Sequence, residues 1–107
     1  MIYELREYYV MPGKMPALNA RFADVTLGYF EKYDIKVVGF WTPVIGRSGV
    51  LRYMLSFRDL AHREKAWAAF GADQERVKIF AASETSGPLV EHIESTILQP
   101  TAYSPMK

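Results

Sequence analysis

The sequence predicts a single α+β domain in which an antiparallel sheet of four strands carries helices on one face. Two observations favour this fold. The spacing of apolar residues changes along the chain between the every-second pattern of strands and the three-and-four pattern of helices. The segments follow the order strand, helix, strand, strand, helix or helix pair, strand, which is typical of ferredoxin-like domains. Half of the 107 residues are hydrophobic, enough for one core, although a second subunit would help so short a chain to bury surface.

The first strand is predicted over residues 2–10, because β-branched and aromatic residues dominate this stretch and the turn Met11-Pro12-Gly13 ends it. A helix follows from about Lys14, since its apolar residues recur at spacings of three and four. These residues are Leu18, Phe22, Val25, Tyr29, Phe30 and Tyr33. Gly28 inside this helix costs about 1 kcal/mol relative to alanine, and close packing of another backbone would explain its presence.

A β-hairpin is predicted next, with strands at residues 36–45 and 50–57. The residues between them, 46–49, read Gly-Arg-Ser-Gly. Four turn-forming residues between two apolar runs indicate an antiparallel pair.

Two helices follow the hairpin. Residues 60–70 return to helical spacing, with Asp59 placed to cap the helix at its start and Gly71 to end it. Asp73 is placed to cap a second, shorter helix over residues 74–84. The residues that this second helix is expected to bury are Val77 and Phe80.

The last strand is predicted over residues 89–98, where apolar residues alternate with polar ones after a Gly-Pro turn. Residues 99–107 contain two prolines and are expected to be irregular. The whole chain, 1–107, is thus one βαββ(α)αβ domain with an irregular tail.

The composition excludes several classes of protein. With 13 Lys and Arg against 12 Asp and Glu and no basic run, the chain lacks the positive surface that nucleic-acid binding requires. No apolar run approaches the roughly 20 residues that span a bilayer, and no signal peptide is recognised. The absence of cysteine excludes disulfides and thiolate sites and fits a cytoplasmic protein. Two histidines with scattered carboxylates fall short of a zinc site, so no metal is expected.

Helices on one side leave the other face of the sheet uncovered. The bulky residues expected on that face are Tyr8, Phe40, Trp41, Met54 and Val90. They make a larger apolar surface than a monomer usually exposes. A second copy stacked on this face is the simplest cover and would close the two sheets into a dimeric α/β barrel, so we expect a homodimer.

Glu4, Arg6 and Tyr8 lie two residues apart on the first predicted strand and therefore share one face. In one hypothesis they form a pocket floor beneath a second subunit, where Arg6 binds an anionic group of a ligand and Glu4 orients that group or acts as a base. In the other, Glu4 and Arg6 pair with each other or across the dimer and only fix the sheet register, because buried charges need partners.

Trp41, Met54 and His92 are the candidate walls of the same pocket. Trp41 and Met54 would line a cavity for a flat or apolar molecule, or else form plain interface core. His92 shares a strand face with Glu94 and would be an interior acid or base, a haem ligand, or a hydrogen-bonded structural residue.

Short stretches along the whole chain carry a family resemblance. They are Tyr3-Glu4-Leu5-Arg6-Glu7-Tyr8, Pro12-Gly13-Lys14, Gly39-Phe40-Trp41-Thr42, Phe57-Arg58-Asp59-Leu60-Ala61, Ala66-Trp67-Ala68-Ala69-Phe70 and Tyr103-Ser104-Pro105. Together they resemble the NIPSNAP family. The resemblance implies a dimeric α/β barrel and little about chemistry, since many members have no assigned activity. Asp34 stands where a glycine usually ends the first helix, and Arg76 stands where a tryptophan is common.

No catalytic motif is present, and we expect a protein that binds a small apolar or aromatic ligand in a barrel pocket without a cofactor. An alternative is an oxygenase-like or haem-handling enzyme, suggested by related barrels and by His92, although a fold does not specify a reaction. Another alternative is a non-catalytic adaptor that binds partner proteins through its proline-containing tail.

Overall fold

The computed structural model describes all 107 residues. Strands and helices follow one another in the predicted order. Their bounds are β1 Ile2–Val10, α1 Met15–Arg21, α2 Leu27–Lys32, β2 Lys36–Trp41, β3 Val50–Phe57, α3 Leu60–Ala72, α4 Gln74–Ser83 and β4 Val90–Leu98. A π-helical turn, Phe22–Thr26, joins α1 directly to α2. None of these helices is long and apolar enough to cross a bilayer.

The strands form one antiparallel sheet in the order β2-β3-β1-β4. The register places Arg6 of β1 opposite Tyr53 of β3 on one side and opposite Ser95 of β4 on the other. This strand order with helices on one face is the ferredoxin-like arrangement. The predicted fold class is therefore confirmed.

The core lies between the sheet and the helices. Every second residue of β3 faces the helices and is almost fully buried. These residues are Leu51, Tyr53, Leu55 and Phe57. They pack against Leu18 of α1, Phe30 of α2 and Phe70 of α3. Burial of each large apolar side chain contributes roughly 1.5–3 kcal/mol, so this layer fixes the helices over the two central strands.

The first helix changes its hydrogen-bond pattern at the turn Phe22–Thr26. The Leu27 amide donates to the Phe22 carbonyl, five residues back, where an α-helix would use the residue four back. Thr26 is buried, and its hydroxyl donates to the Arg21 carbonyl at 3.3 Å. Leu18 before this turn and Tyr29 and Phe30 after it all belong to the core, so both halves of the helix keep an apolar side towards the sheet.

The opposite face of the sheet, which we call the open face, carries no helix. Leu5 and Met54 are paired neighbours on it. The C-terminal segment 99–107 folds back over one end of this face, where the Tyr3 hydroxyl donates to the Lys107 carbonyl at 2.8 Å. A cavity of about 170 Å³ between the segment and the sheet is lined by Tyr3 and Met54, among others.

The helix caps agree with prediction. The Asp59 carboxylate accepts from the His62 amide at 2.8 Å, and that of Asp73 accepts from the Arg76 amide at 3.0 Å. These bonds satisfy amides that have no partner inside α3 and α4. Asp34 adopts a left-handed conformation with φ of 59°, the role that a glycine usually fills after a helix.

The predicted end of the second strand is wrong. β2 ends at Trp41, because the next residues include Pro43, which has no amide to donate to a sheet. Val44 and Ile45 are 99% and 95% exposed. The connection between β2 and β3 is therefore residues 42–49 and not a four-residue turn.

Three smaller expectations about the helices are also corrected. α3 includes Gly71, which was expected to end it. Val77, expected to be buried, is 39% exposed, while Phe80 packs against the core as predicted. A Cβ added at Gly28 would meet no atom within 4 Å, so close packing of another backbone does not account for this glycine.

Candidate functional site

Glu4 is the centre of a buried polar cluster on the helix side of the sheet. Its side chain is fully buried, and its carboxylate accepts five hydrogen bonds. Oε1 accepts from Arg63 Nε at 2.8 Å and from Trp67 Nε1 at 2.9 Å. The donors to Oε2 are Arg63 Nη2 at 3.2 Å, Arg6 Nη1 at 3.1 Å and Ser95 Oγ at 2.6 Å. Since a carboxylate offers about four lone-pair sites, donors exceed acceptors around it.

These hydrogen bonds keep Glu4 ionised. Burial by itself raises the pKa of the Glu4 carboxyl, but the bonds from Arg63, Ser95, Trp67 and Arg6 outweigh burial and lower this pKa from 4.5 to about 2. A carboxylate with so low a pKa is a weak base at neutral pH. The geometry therefore argues against the predicted base role and favours Glu4 as the group that orients the two arginines.

The Arg6 guanidinium donates hydrogen bonds to three different side chains. Nε donates to the Tyr53 hydroxyl at 2.7 Å, Nη1 donates to Glu4, and Nη2 donates to the Tyr8 hydroxyl at 3.4 Å. The guanidinium also lies 4.7 Å from the centre of the Trp67 ring, within cation–π range. These bonds use three of the five N–H donors of an arginine, which leaves two for another acceptor.

Tyr8 and Tyr53 place their hydroxyl oxygens 3.0 Å apart. Each oxygen also accepts from Arg6. Burial and the neighbouring Tyr8 raise the pKa of Tyr53 well above its usual value, against the opposing charge of Arg6. The phenol therefore stays protonated at neutral pH. One O–H of the pair donates to the other hydroxyl, and the second O–H is left to donate elsewhere.

Beside this cluster, the helix side of the sheet is open along β4. Ile93 and Ile97 face the same side as Tyr8 and Glu4, their paired neighbours on β1. They are nevertheless 43% and 40% exposed. We call Ile93, Ser95 and Ile97 the β4 strip. A donor-rich polar cluster thus borders an exposed apolar surface.

Arg21 of α1 adds a second buried cation close to Tyr8. Its side chain is 10% exposed, donates to the Ser83 hydroxyl at 3.1 Å and lies 4.4 Å from the centre of the Phe80 ring. Its ion pair with Glu84 is long, at 3.8 Å. Burial lowers the pKa of Arg21, and Glu84 and Tyr8 oppose this shift. An arginine keeps its charge in proteins, so this cation has only a distant counter-charge.

The predicted site residues fall on opposite faces of the sheet. The group on the helix side is Glu4, Arg6 and Tyr8. The group on the open face is Trp41, Met54 and His92. The expectation that all six line one pocket is therefore wrong. The expectation that the first group lies beneath a second subunit is also wrong, because Phe22 and Trp67 of the same chain cover it.

The residues on the open face have other neighbours. Trp41 is 51% exposed, and its indole fills the space where a side chain at Gly39 would lie. His92 stacks on Tyr9 with ring centres 4.2 Å apart and an angle of 9° between the planes. His92 cannot reach a group bound at Arg6, because the sheet lies between them.

Several residues of the cluster were not predicted as site residues. They are Tyr53, Arg63, Trp67 and Ser95 in the cluster, and Arg21 beside it. Arg63 and Trp67 lie four apart on α3 and so share a helix face, and this spacing is the one signal in the sequence that joins them. That their helix face lies over Glu4 depends on how α3 packs on the sheet, which no local pattern encodes.

Comparisons with known proteins agree with the fold. The NIPSNAP family model matches residues 3–105. Protein NipSnap homolog 1 of Danio rerio is 31% identical over 110 residues, which cover 99% of this chain and 36% of that protein. The chain thus spans about a third of the length of this curated relative.

Solved structures resemble the chain along its whole length. An uncharacterized NIPSNAP domain protein from Burkholderia xenovorans is 28% identical with a TM-score of 0.85, covering 98% of this chain and 99% of the other. An MhuD mutant with two manganese protoporphyrin IX molecules per active site shares 17% identity and a TM-score of 0.61, over 94% of each chain. The second likeness shows the fold alone, whereas the family model covers nearly every residue, and the chain therefore belongs to the NIPSNAP family.

Proposed function

We propose that this NIPSNAP protein is a homodimer that binds a small apolar or aromatic ligand between its sheet and helices, with Arg6 and Tyr8 as polar contacts. The observation that carries the proposal is a buried cluster with more hydrogen-bond donors than acceptors, next to the exposed β4 strip. A ligand with an apolar body would cover Ile93 and Ile97 and accept the remaining hydrogen bonds.

The structural and the binding hypotheses apply to different residues of the cluster. Glu4 is saturated by Arg63, Trp67, Ser95 and Arg6, and its role is to fix these side chains. Arg6 and the tyrosine pair keep donors that this fixed arrangement does not use. Binding therefore depends on Arg6 and Tyr8, while folding depends on Glu4.

The homodimer is supported by the open face. Trp41 and Leu98 are 51% and 38% exposed there, and no helix covers Leu5 or Met54. A second copy placed on this face would bury these apolar side chains. It would leave the polar cluster of each chain on the outer side of its own sheet; this cluster, which we call the Arg6 cluster, consists of Glu4, Arg6, Tyr8, Tyr53, Arg63, Trp67 and Ser95. The proposed ligand site is therefore complete within one chain.

The test is a thermal-shift screen of small metabolites against the wild type, Tyr8→Phe and Tyr3→Phe. Tyr3→Phe is a matched control, because Tyr3 is also buried but donates to Lys107 on the open face. We expect at least one apolar or aromatic compound to raise the melting temperature of the wild type and of Tyr3→Phe, and to stabilise Tyr8→Phe much less. Ligands that stabilise all three proteins equally would rule out a site at Tyr8.

A further inference from the structure

We infer that the ligand of the Arg6 cluster is a small amphiphilic monocarboxylate, an acid with a single carboxylate on an alkyl or aryl body. The carboxylate would accept from Arg6 and from the free phenol of the Tyr8–Tyr53 pair, and the body would lie on the β4 strip. This inference rests on the function proposed above and specifies the chemistry of its ligand.

The charge of the cluster favours one negative charge. Glu4 contributes one negative charge, and Arg6 and Arg63 contribute one positive charge each, so this hydrogen-bonded cluster carries a net charge of +1. Arg21 lies beside the cluster and has its own counter-charge in Glu84, at 3.8 Å. Arg63 binds both oxygens of Glu4, and Arg6 shares Oε2 with Arg63 and Ser95. Buried charge is stable when it is paired. A monoanion next to Arg6 would complete the pairing, whereas a dianion would leave an excess negative charge.

The hydrogen-bonding groups favour a carboxylate over other polar groups. Arg6 has two N–H donors without partners, and the tyrosine pair has one O–H. A carboxylate consists only of acceptors, so each of these donors gains a charge-assisted bond. An amine would bring further donors and a like charge. An alcohol carries no charge and would leave the positive charge of the cluster unpaired.

The apolar body of the ligand is placed by the register of β4. Ser95 lies opposite Arg6, with Ile93 opposite Tyr8 and Ile97 opposite Glu4. The Ser95 hydroxyl points into the cluster, because it donates to Glu4 at 2.6 Å. The two isoleucines therefore lie about 7 Å to either side of Ser95, about 13 Å apart, and provide apolar surface on both sides of the polar entrance.

Fluorescence provides a direct test. The chain has two tryptophans, and Trp41→Phe leaves Trp67, which contacts both Glu4 and Arg6, as the only one. In this background we expect octanoate to change the Trp67 emission saturably. 1-Octanol should bind about tenfold more weakly or worse, and octylamine should not bind.

Variants locate the binding. Adding Tyr8→Phe should weaken octanoate binding by about tenfold, the usual cost of one lost hydrogen bond to a charged group, because the remaining phenol, Tyr53, is fully buried and would not reach the ligand. Tyr3→Phe should leave octanoate binding unchanged. Arg6→Gln should abolish octanoate binding, and if this variant does not fold, Tyr8→Phe alone decides the test. Calorimetric titration of the wild type with octanoate checks that the fluorescence change reports binding.

Failure of the inference can be separated from failure of the proposed function. Equal affinity for octanoate and 1-octanol, or octanoate affinity unaffected by Tyr8→Phe, overturns the carboxylate assignment. If octanoate, decanoate and 4-phenylbutyrate all fail to bind while the screen yields a neutral ligand sensitive to Tyr8→Phe, the inference fails and the proposed function stands. If the screen also yields no such ligand, both fail.

Discussion

Glu4 joins three elements through one carboxylate, because its donors come from β1, from α3 and from β4. Its pKa of about 2 lies below the usual 4.5, so the folded state favours the ionised form. This stabilisation is fully present above pH 4.5 and is lost as the pH falls towards 2. The difference in pKa corresponds to about 3 kcal/mol.

We expect Glu4→Gln to destabilise the protein by about 3 kcal/mol at pH 7, since it leaves two partly buried arginines, Arg6 and Arg63, without their counter-charge. The deficit relative to the wild type should shrink as the pH falls below 4.5, because the wild type then loses the same contribution. Urea unfolding at several pH values measures both effects. Asp34→Asn is the control, since its ion pair with Arg58 is exposed and should contribute less than about 1 kcal/mol. A Glu4→Gln deficit that is independent of pH would contradict the linkage.

Gly28 allows a test of how backbone conformation affects stability at a single residue. It lies inside α2, and a Cβ there would meet open space. We expect Gly28→Ala to raise the free energy of unfolding by about 1 kcal/mol, because alanine loses less backbone entropy in a helix. Gly13→Ala is a control with equally open space but a φ of 76°, and it should destabilise. Urea midpoints that move in the same direction for both variants would show that backbone conformation is not the deciding factor.

The sequence was sufficient to place Glu4, Arg6 and Tyr8 in one row, because alternation along a strand is a local property. It was not sufficient to say which side of the sheet they face. The other row of β1 consists of Leu5, Glu7 and Tyr9, and it also mixes apolar and charged residues, so polarity does not distinguish the two faces. The facing side follows from the buried partners, above all Tyr53, which the register brings opposite Arg6. Register depends on the packing of the whole sheet.

Among the elements, the regular ones were predictable and the irregular ones were not. The starts of α3 and α4 were predictable from Asp59 and Asp73, because an N-cap carboxylate accepts a hydrogen bond from an amide only three residues away. Residues 42–45 were predicted as strand because Val44 and Ile45 continue an apolar run, although both are exposed. The π-helical turn Phe22–Thr26 escaped prediction, because the three-and-four spacing of apolar residues tolerates one inserted residue.

Arg76 fixes the junction between α3 and α4. Its Nε donates to the Phe70 carbonyl at 2.8 Å. This carbonyl lies in the last turn of α3 and otherwise accepts only a long bond of 3.4 Å from the Asp73 amide. Its guanidinium lies 4.6 Å from the Phe70 ring centre and 4.7 Å from that of Phe80. A single side chain therefore caps one helix and packs on both.

We expect Arg76→Leu to destabilise the protein by about 2 kcal/mol, because leucine retains apolar volume but loses the charged hydrogen bond and the cation–π contacts. Lys78→Leu, at an exposed position of the same helix, should change stability by less than about 0.5 kcal/mol. Urea unfolding gives both values, and amide hydrogen exchange should show faster opening of α4 in Arg76→Leu only. Equal stability of the two variants would mean that Arg76 does not hold the junction.

In the whole molecule, the two faces of the sheet have different roles: one packs against the helices and the other is the proposed dimer contact. The helix side holds the core and the Arg6 cluster, and the open face holds Trp41, Met54 and Leu98 with the tail 99–107 over one end. If two open faces pack together, a charge in the middle of this face must be buried without a partner in each chain. Such burial costs several kcal/mol.

We therefore expect Met54→Glu to convert the proposed dimer to a monomer, while the wild type has a mass near twice the 12.2 kDa of one chain by light scattering at micromolar concentration. Val77→Glu is the matched control, because Val77 is 39% exposed on the outer helix α4, and it should remain dimeric. Octanoate binding should persist in monomeric Met54→Glu, since the Arg6 cluster belongs to one chain and lies on the other side of the sheet. A wild type that is monomeric at this concentration would refute the dimer, and loss of binding in folded Met54→Glu would show that the site needs a second subunit.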